Sequence, residues 1–178
     1  MSKRVLIPAV LLVAAMVFAA GLYLFQPWRI FTSSTVTEDI PTAAQTTTPA
    51  PGPSVESSAV AGPREVATGK LISHEHASKG SVKIIELADG SRILRFEGLD
   101  TSDGPDLRVW LTDAPVIEGT AGWYVFDDGA HLDLGALKAN KGDQNYKIPA
   151  GTVLGDYRSV SIWCARFAVS FAAAELSV

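Results

Sequence analysis

The feature that most constrains this chain is a charge-free apolar run of 21 residues, Val5 to Phe25. About 20 helical residues cross the hydrocarbon core of a bilayer. Lys3 and Arg4 precede the run, and Tyr23, Trp28 and Arg29 sit at its far end, where aromatic and basic side chains favour the interface. Pro8 falls in the first turns, where its missing N–H costs little. The expectation is a single-pass anchor in the cell membrane, with residues 1–31 as cytoplasmic tip and span. By the positive-inside rule, everything beyond lies outside the cytoplasm. A cleaved signal peptide is the rival. Ala19-Ala20-Gly21 offers a small-residue site, but signal h-regions run about 7–15 residues and this one continues through Leu22 to Phe25. Both readings export the remainder. No cysteine stands directly after the run, which argues against a bacterial lipoprotein anchor.

Residues 32–64 are rich in Thr, Ser, Ala and Pro, with no periodicity. Such a stretch buries too little surface to offset its ordering entropy and reads as a spacer. Fully extended, 33 residues reach about 100 Å. Its composition also permits O-glycosylation. Residues 65–178 remain, enough to bury a core of their own. They carry 11 basic against 16 acidic side chains, with no basic cluster. Nucleic-acid binding requires clustered positive charge, so no nucleic acid is expected as a partner.

That exported part reads as all-β, a sandwich or barrel of short antiparallel strands. Ser81 to Phe96 holds two apolar arms around Ala88-Asp89-Gly90-Ser91, a hairpin turn by chemistry. Leu107 to Leu111, Ala130 to Leu134 and Gln144 to Ile148 are further strand candidates. The strongest alternation is C-terminal. Trp163, Ala165, Phe167, Val169 and Phe171 fall on one face; Val160, Ile162, Cys164, Arg166 and Ala168 fall on the other. The first set is expected to face the core, with Leu94, Phe96, Leu107 and Val109. The second set turns polar at Arg166, which places Cys164 near water.

Cys164 is the only cysteine, so no internal disulfide and no two-thiol exchange are available. Its thiol is buried and inert, joined to another molecule, ligating, or reactive. On a continuous strand Arg166 would share its face and stabilise a thiolate. His74, His76 and His131 are the histidines that complete a soft ligand set, and thiolate with imidazoles suits copper or zinc. The methionines, Met1 and Met16, lie beyond the spacer and no histidine follows Cys164, so the usual blue-copper loop is missing. Surface histidines are the plainer explanation. Asp100, Asp103 and Asp106 around Gly104 read as a turn rather than a calcium loop. Trp110, Trp123 and Trp163 read as core or rim residues.

Four segments resemble the DM13 domain, a family proposed to act in extracellular electron transfer. The first is Gly69-Lys70-Leu71 with His76 and then Gly80-Ser81-Val82. The second is Gly104-Pro105-Asp106-Leu107 leading into Val109-Trp110-Leu111. The third runs from Leu132 through Asn140-Lys141-Gly142-Asp143 to Tyr146 and closes at Ile148-Pro149. The fourth runs from Tyr157 through Trp163-Cys164-Ala165 to Phe167, with Phe171, Ala172 and Leu176 beyond. They cover about Thr68 to Leu176. The family's cysteine falls on Cys164 and its histidine on His74 or His76, with His76 the better match. The resemblance implies a redox role for Cys164, as a bare thiol or as ligand to a prosthetic group such as haem, with a redox partner protein at the cell surface. The alternative is a non-redox binding or structural module of the cell envelope, with Cys164 packed as a small hydrophobe. A turnover enzyme stands third.

Overall fold

The structure, a computed structural model, describes residues 3–26, 28, 32–41 and 62–177. Helix α1 spans Lys3–Phe25. Its side chains are described without interruption from Val10 to Leu24, and no helix among the described residues is long and apolar enough to cross a membrane.

Ten strands follow: β1 (Thr35–Thr37), β2 (Arg64–Lys70), β3 (Ile72–Ser73), β4 (Lys79–Glu86), β5 (Arg92–Asp100), β6 (Leu107–Thr112), β7 (His131–Ala136), β8 (Lys141–Ile148), β9 (Ser159–Cys164) and β10 (Val169–Glu175). They form two five-stranded sheets, ordered β1-β8-β5-β4-β2 and β3-β10-β9-β6-β7. Every pairing is antiparallel except β1 on β8. The fold is mostly β and sandwich-like, as the short apolar runs and turn signals imply.

The β4–β5 hairpin shows how sequence sets register. Gly90 takes φ +78°, a left-handed conformation that costs glycine nothing. Asp89 Oδ1 accepts from the Ser91 amide at 2.9 Å and from its hydroxyl at 2.6 Å. The closed turn pairs Ile84 with Leu94 and Val82 with Phe96. All four are buried, and they face Val109, Leu111, Val160 and Ile162 of the second sheet. Each fully buried aliphatic side chain of this kind stabilises the fold by about 1.5–3 kcal/mol.

Two expectations are corrected here. The C-terminal alternation does not run through one strand. β9 ends at Cys164, residues 165–168 turn, and β10 returns alongside it, with Val169 opposite Cys164. The turn contains no Gly, Asn or Pro; Ala168 itself takes φ +49°, so composition gave no sign of it. In β9 the expected faces are exchanged, whereas Val169 and Phe171 of β10 lie in the core as expected. Val160, Ile162 and Cys164 point into the sandwich, whereas Trp163 packs on the outer side of the sheet with Trp110, Ala114, Phe126 and Ala173. Phe167 sits at the turn, 45 % exposed. Arg166 is exposed in the same turn, and its guanidinium donates to the Leu24 carbonyl at 3.0 Å. It does not share a strand face with Cys164.

Part of the spacer is structured as well. Thr35–Thr37 pairs with Lys141, Gly142 and Asp143. Glu38 binds the Lys138 ammonium at 2.8 Å, and buried Arg95 donates to the Glu38 carbonyl at 2.7 Å. Gly142 makes the approach possible: a Cβ there would lie 2.0 Å from the Val36 carbonyl oxygen. Residues 42–61 of the expected spacer lie outside the described residues.

Candidate functional site

His74-Glu75-His76 follows directly on β3, but it is a bend and not strand. The two imidazoles therefore do not point the same way. His74 is buried in the outer layer of the second sheet. Its Nδ1 lies 2.9 Å from Ser170 Oγ and its Nε2 3.2 Å from the Ile117 carbonyl. Burial holds its pKa below the usual imidazole value, and the Ile117 carbonyl offsets part of that. With both nitrogens engaged, His74 is a structural residue.

His76 turns the other way. Its ring lies 4.0 Å from that of Phe171, tilted by 47°. Its Nε2 meets the Glu75 carboxylate. With Nε2 turned to Glu75, Nδ1 is the ring nitrogen left for a ligand. This carboxylate–imidazole arrangement fixes the tautomer of many metal-ligating histidines.

Glu75 and His76 form one side of a cleft of about 330 Å³, open on one side. Trp123, Tyr124, Phe167, Val169 and Phe171 supply apolar wall, and Asp103, Gly104 and Pro105 supply the facing turn. Gln26, just past the end of α1, closes one edge. A Cβ on Gly104 would come within 3.1 Å of the Phe171 ring and of the Leu107 side chain, so glycine lets this turn close on the ring that carries His76. The Trp123 indole nitrogen is buried without a hydrogen-bond partner. Buried polar groups ordinarily find one, and this indole belongs to the cleft wall.

Cys164 lies behind that wall. It is fully buried, and its strand partners Val169 and Leu107 flank it on either side. Burial raises the thiol pKa. The backbone amides of Phe167, Arg166 and Asp106 offset this in part, while the Asp106 carboxylate adds to it. Burial therefore favours the neutral thiol, against the expectation of a thiolate held by Arg166.

His131 is on the far side of the second sheet. It is exposed and stacked on Trp110 at 4.0 Å. The candidate set His74, His76, His131 and Cys164 is thus dispersed, and among the described residues no group of three or more His, Cys, Asp or Glu side chains could hold a metal ion. Copper, which wants several such ligands, does not fit. A haem-class group needs one imidazole and apolar walls for its faces, and His76 with the cleft supplies both. The volume is at the low end of the 300–1,000 Å³ or so typical of ligand pockets, which suits a planar group only partly enclosed.

Sequence reasoning singled out His76 and Cys164 but missed Glu75, Trp123 and Tyr124. The adjacency of Glu75 to His76 was the available signal. The aromatic walls come from separate segments brought together only by the fold.

No curated protein and no solved structure matches the chain. The family described as electron transfer DM13 matches residues 70–176, which takes in every strand from β3 to β10 and the whole of the cleft except Gln26. The chain therefore belongs to the DM13 electron-transfer family.

Proposed function

We propose that this protein is a membrane-anchored electron-transfer module, exported from the cytoplasm, that exchanges electrons at the aromatic cleft. Family membership supports the redox class. The charge-free run from Val5 to Phe25, with Lys3 and Arg4 before it, supports the anchor and its orientation. The observation that carries the site is His76, paired with Glu75 and set against Phe171 in a cleft that Trp123, Tyr124 and Phe167 also line. His76 Nδ1 would hold a haem-class group, and Trp123, Tyr124, Phe167 and Phe171 would cover its faces. Such a group supplies a one-electron change at its iron. The chain supplies the ligand, its tautomer, and the apolar wall that limits water.

Cys164, in this reading, is the protonated floor behind the cleft and not the electron's stopping place. A second reading keeps the sulfur as the redox atom. One observation favours it: three backbone amides, of Asp106, Arg166 and Phe167, pull the thiol pKa down against its burial.

The full chain purified in detergent tests the site by its absorption spectrum and by haem titration. A haem Soret band in the wild type that is lost in His76→Ala supports the cleft. A chain that takes up no haem, or a His76→Ala variant that binds it unchanged, contradicts it.

A further inference from the structure

The outer face of the second sheet carries a continuous run of rings. His131 stacks on Trp110 at 4.0 Å and 14°. Trp110 stacks on Trp163 at 5.1 Å and 23°. Phe126 meets Trp163 edge-on at 6.4 Å, and His74 lies 5.7 Å from Phe126. At the inner end, Trp163 pairs in register with Ser170, whose amide donates to the carbonyl of cleft residue Trp123 at 2.8 Å. The run therefore links the cleft to the surface at His131.

Core packing alone explains buried tryptophans, but three features here go beyond packing. The two indoles are stacked rather than edge-on, so a missing electron is shared between them and each is easier to oxidise. Trp110 is 8 % exposed, and its indole nitrogen is buried with no hydrogen-bond partner. No acceptor among the described residues takes its proton, so loss of one electron leaves a radical cation, which returns by electron transfer alone. Finally, the outermost ring is exposed and its surroundings are acidic. Asp113 follows Thr112, the strand partner of His131, and Asp127 and Asp128 lie on the loop leading into β7. All three carboxylates are exposed.

We propose that Trp110 and Trp163 form a one-electron relay, and that His131 with the carboxylates of Asp113, Asp127 and Asp128 marks a second electron-exchange surface for a positively charged one-electron oxidant. The oxidant class is a metal-centred redox protein with a basic face. In the step, the oxidant gains one electron and Trp110 loses one, with no bond made and the indole proton kept on Nε1. Trp163 then passes one electron to Trp110, and the pair is restored by one electron from the cleft side. The relay rests on the electron-transfer reading only for the origin of that last electron.

The test uses the full chain in detergent with photogenerated tris(bipyridine)ruthenium(III), a cationic one-electron oxidant, and hexacyanoferrate(III) as its anionic counterpart. Wild type is expected to form a tryptophan radical with the cationic probe, at a rate that falls as salt rises. Trp110→Phe is expected to lower the radical yield at least tenfold, and Asp127→Asn with Asp128→Asn to slow the cationic probe severalfold while leaving the anionic one unslowed. Trp163→Phe is expected to keep the first oxidation and shorten the radical's life. The photogenerated probe acts on the chain without any group bound in the cleft, and Asp89→Asn, on the β4–β5 turn of the other sheet, is expected to change none of these, which separates the relay from the cleft. If Trp110→Phe misfolds by circular dichroism, the Asp127/Asp128 variant and His131→Ala carry the test. A radical yield that survives Trp110→Phe in a folded protein, or a cationic rate unmoved by the carboxylate changes, would overturn the proposal.

Discussion

Strand β9 presents two contrasting surfaces within six residues. Its inner side, Val160, Ile162 and Cys164, is sealed in the apolar core of the sandwich. Its outer side, Ser159, Ser161 and Trp163, is equally buried but carries hydrogen-bonding groups and an indole. Ser159 Oγ donates to the Ala114 carbonyl at 2.7 Å, and Ser161 Oγ to Ser170 Oγ at 3.0 Å. The inner side specifies the fold. The outer side carries the stacked rings of the proposed relay. The cysteine that sequence reading placed at the water's edge belongs to the inner, inert-looking side.

The largest expected contrast is in stability. Phe96→Ala, in the sealed interior, should destabilise the fold by about 3–5 kcal/mol, because the rigid sandwich cannot fill the cavity. Phe167→Ala should cost less than about 1 kcal/mol, since that ring is 45 % exposed. Denaturant unfolding of both variants reads the difference, and equal losses would return Phe167 to the core.

His74 gives the outer layer its own pH response. Its folded pKa is depressed by burial, so below the ordinary imidazole value the unfolded chain binds a proton that the folded chain does not. Stability is therefore complete above about pH 6.5 and falls as pH drops through the window beneath it. His74→Asn should flatten that window, though the partners left unpaired on Ser170 and Ile117 should cost about 1–3 kcal/mol at pH 7. The carboxylates of Glu38, held low by Lys138, and Glu97, held low by Lys83 and Arg95, act in the same direction but below about pH 4.5. An unchanged pH profile in His74→Asn would place the titration elsewhere.

The smallest expected effect is at the turn that joins the two sides of the hairpin. Ala168 sits at φ +49°, where an L side chain is strained by about 1–2 kcal/mol. Ala168→Gly relieves that strain but frees the unfolded chain, for a net gain of less than about 1 kcal/mol in thermal or denaturant unfolding. A loss would show that the Ala168 methyl packs productively.

Much of the fold was legible because its signals are local. Asp89-Gly90 announced a hairpin, and the apolar runs at Leu107 to Leu111 and Gln144 to Ile148 became β6 and part of β8. What was not legible depends on distant partners. Thr35–Thr37 is β-branched but too short to announce a strand alone, and it is held by Lys141 to Asp143, more than a hundred residues away. The alternation from Val160 to Phe171 looked continuous because the residues of the turn at 165–168 carry no turn chemistry, and that one break puts Val160, Ile162 and Cys164 on the same side as Val169 and Phe171. His76 was found through its family resemblance, but Trp123, Tyr124 and the Trp110–Trp163 stack could be joined only in three dimensions. The tryptophans read from sequence as core and rim residues are that, and their stacking is what sequence cannot express.

The central claim is that electrons exchange at the cleft and not at the sulfur. A one-electron redox titration of the full haem-loaded chain, followed by absorption and compared with Cys164→Ala and His76→Ala, tests it most directly. Cys164→Ala should keep the titration and its midpoint, while His76→Ala should lose both. A titration that vanishes with Cys164→Ala in a folded protein and survives His76→Ala would contradict it, and would return the redox role to the thiol.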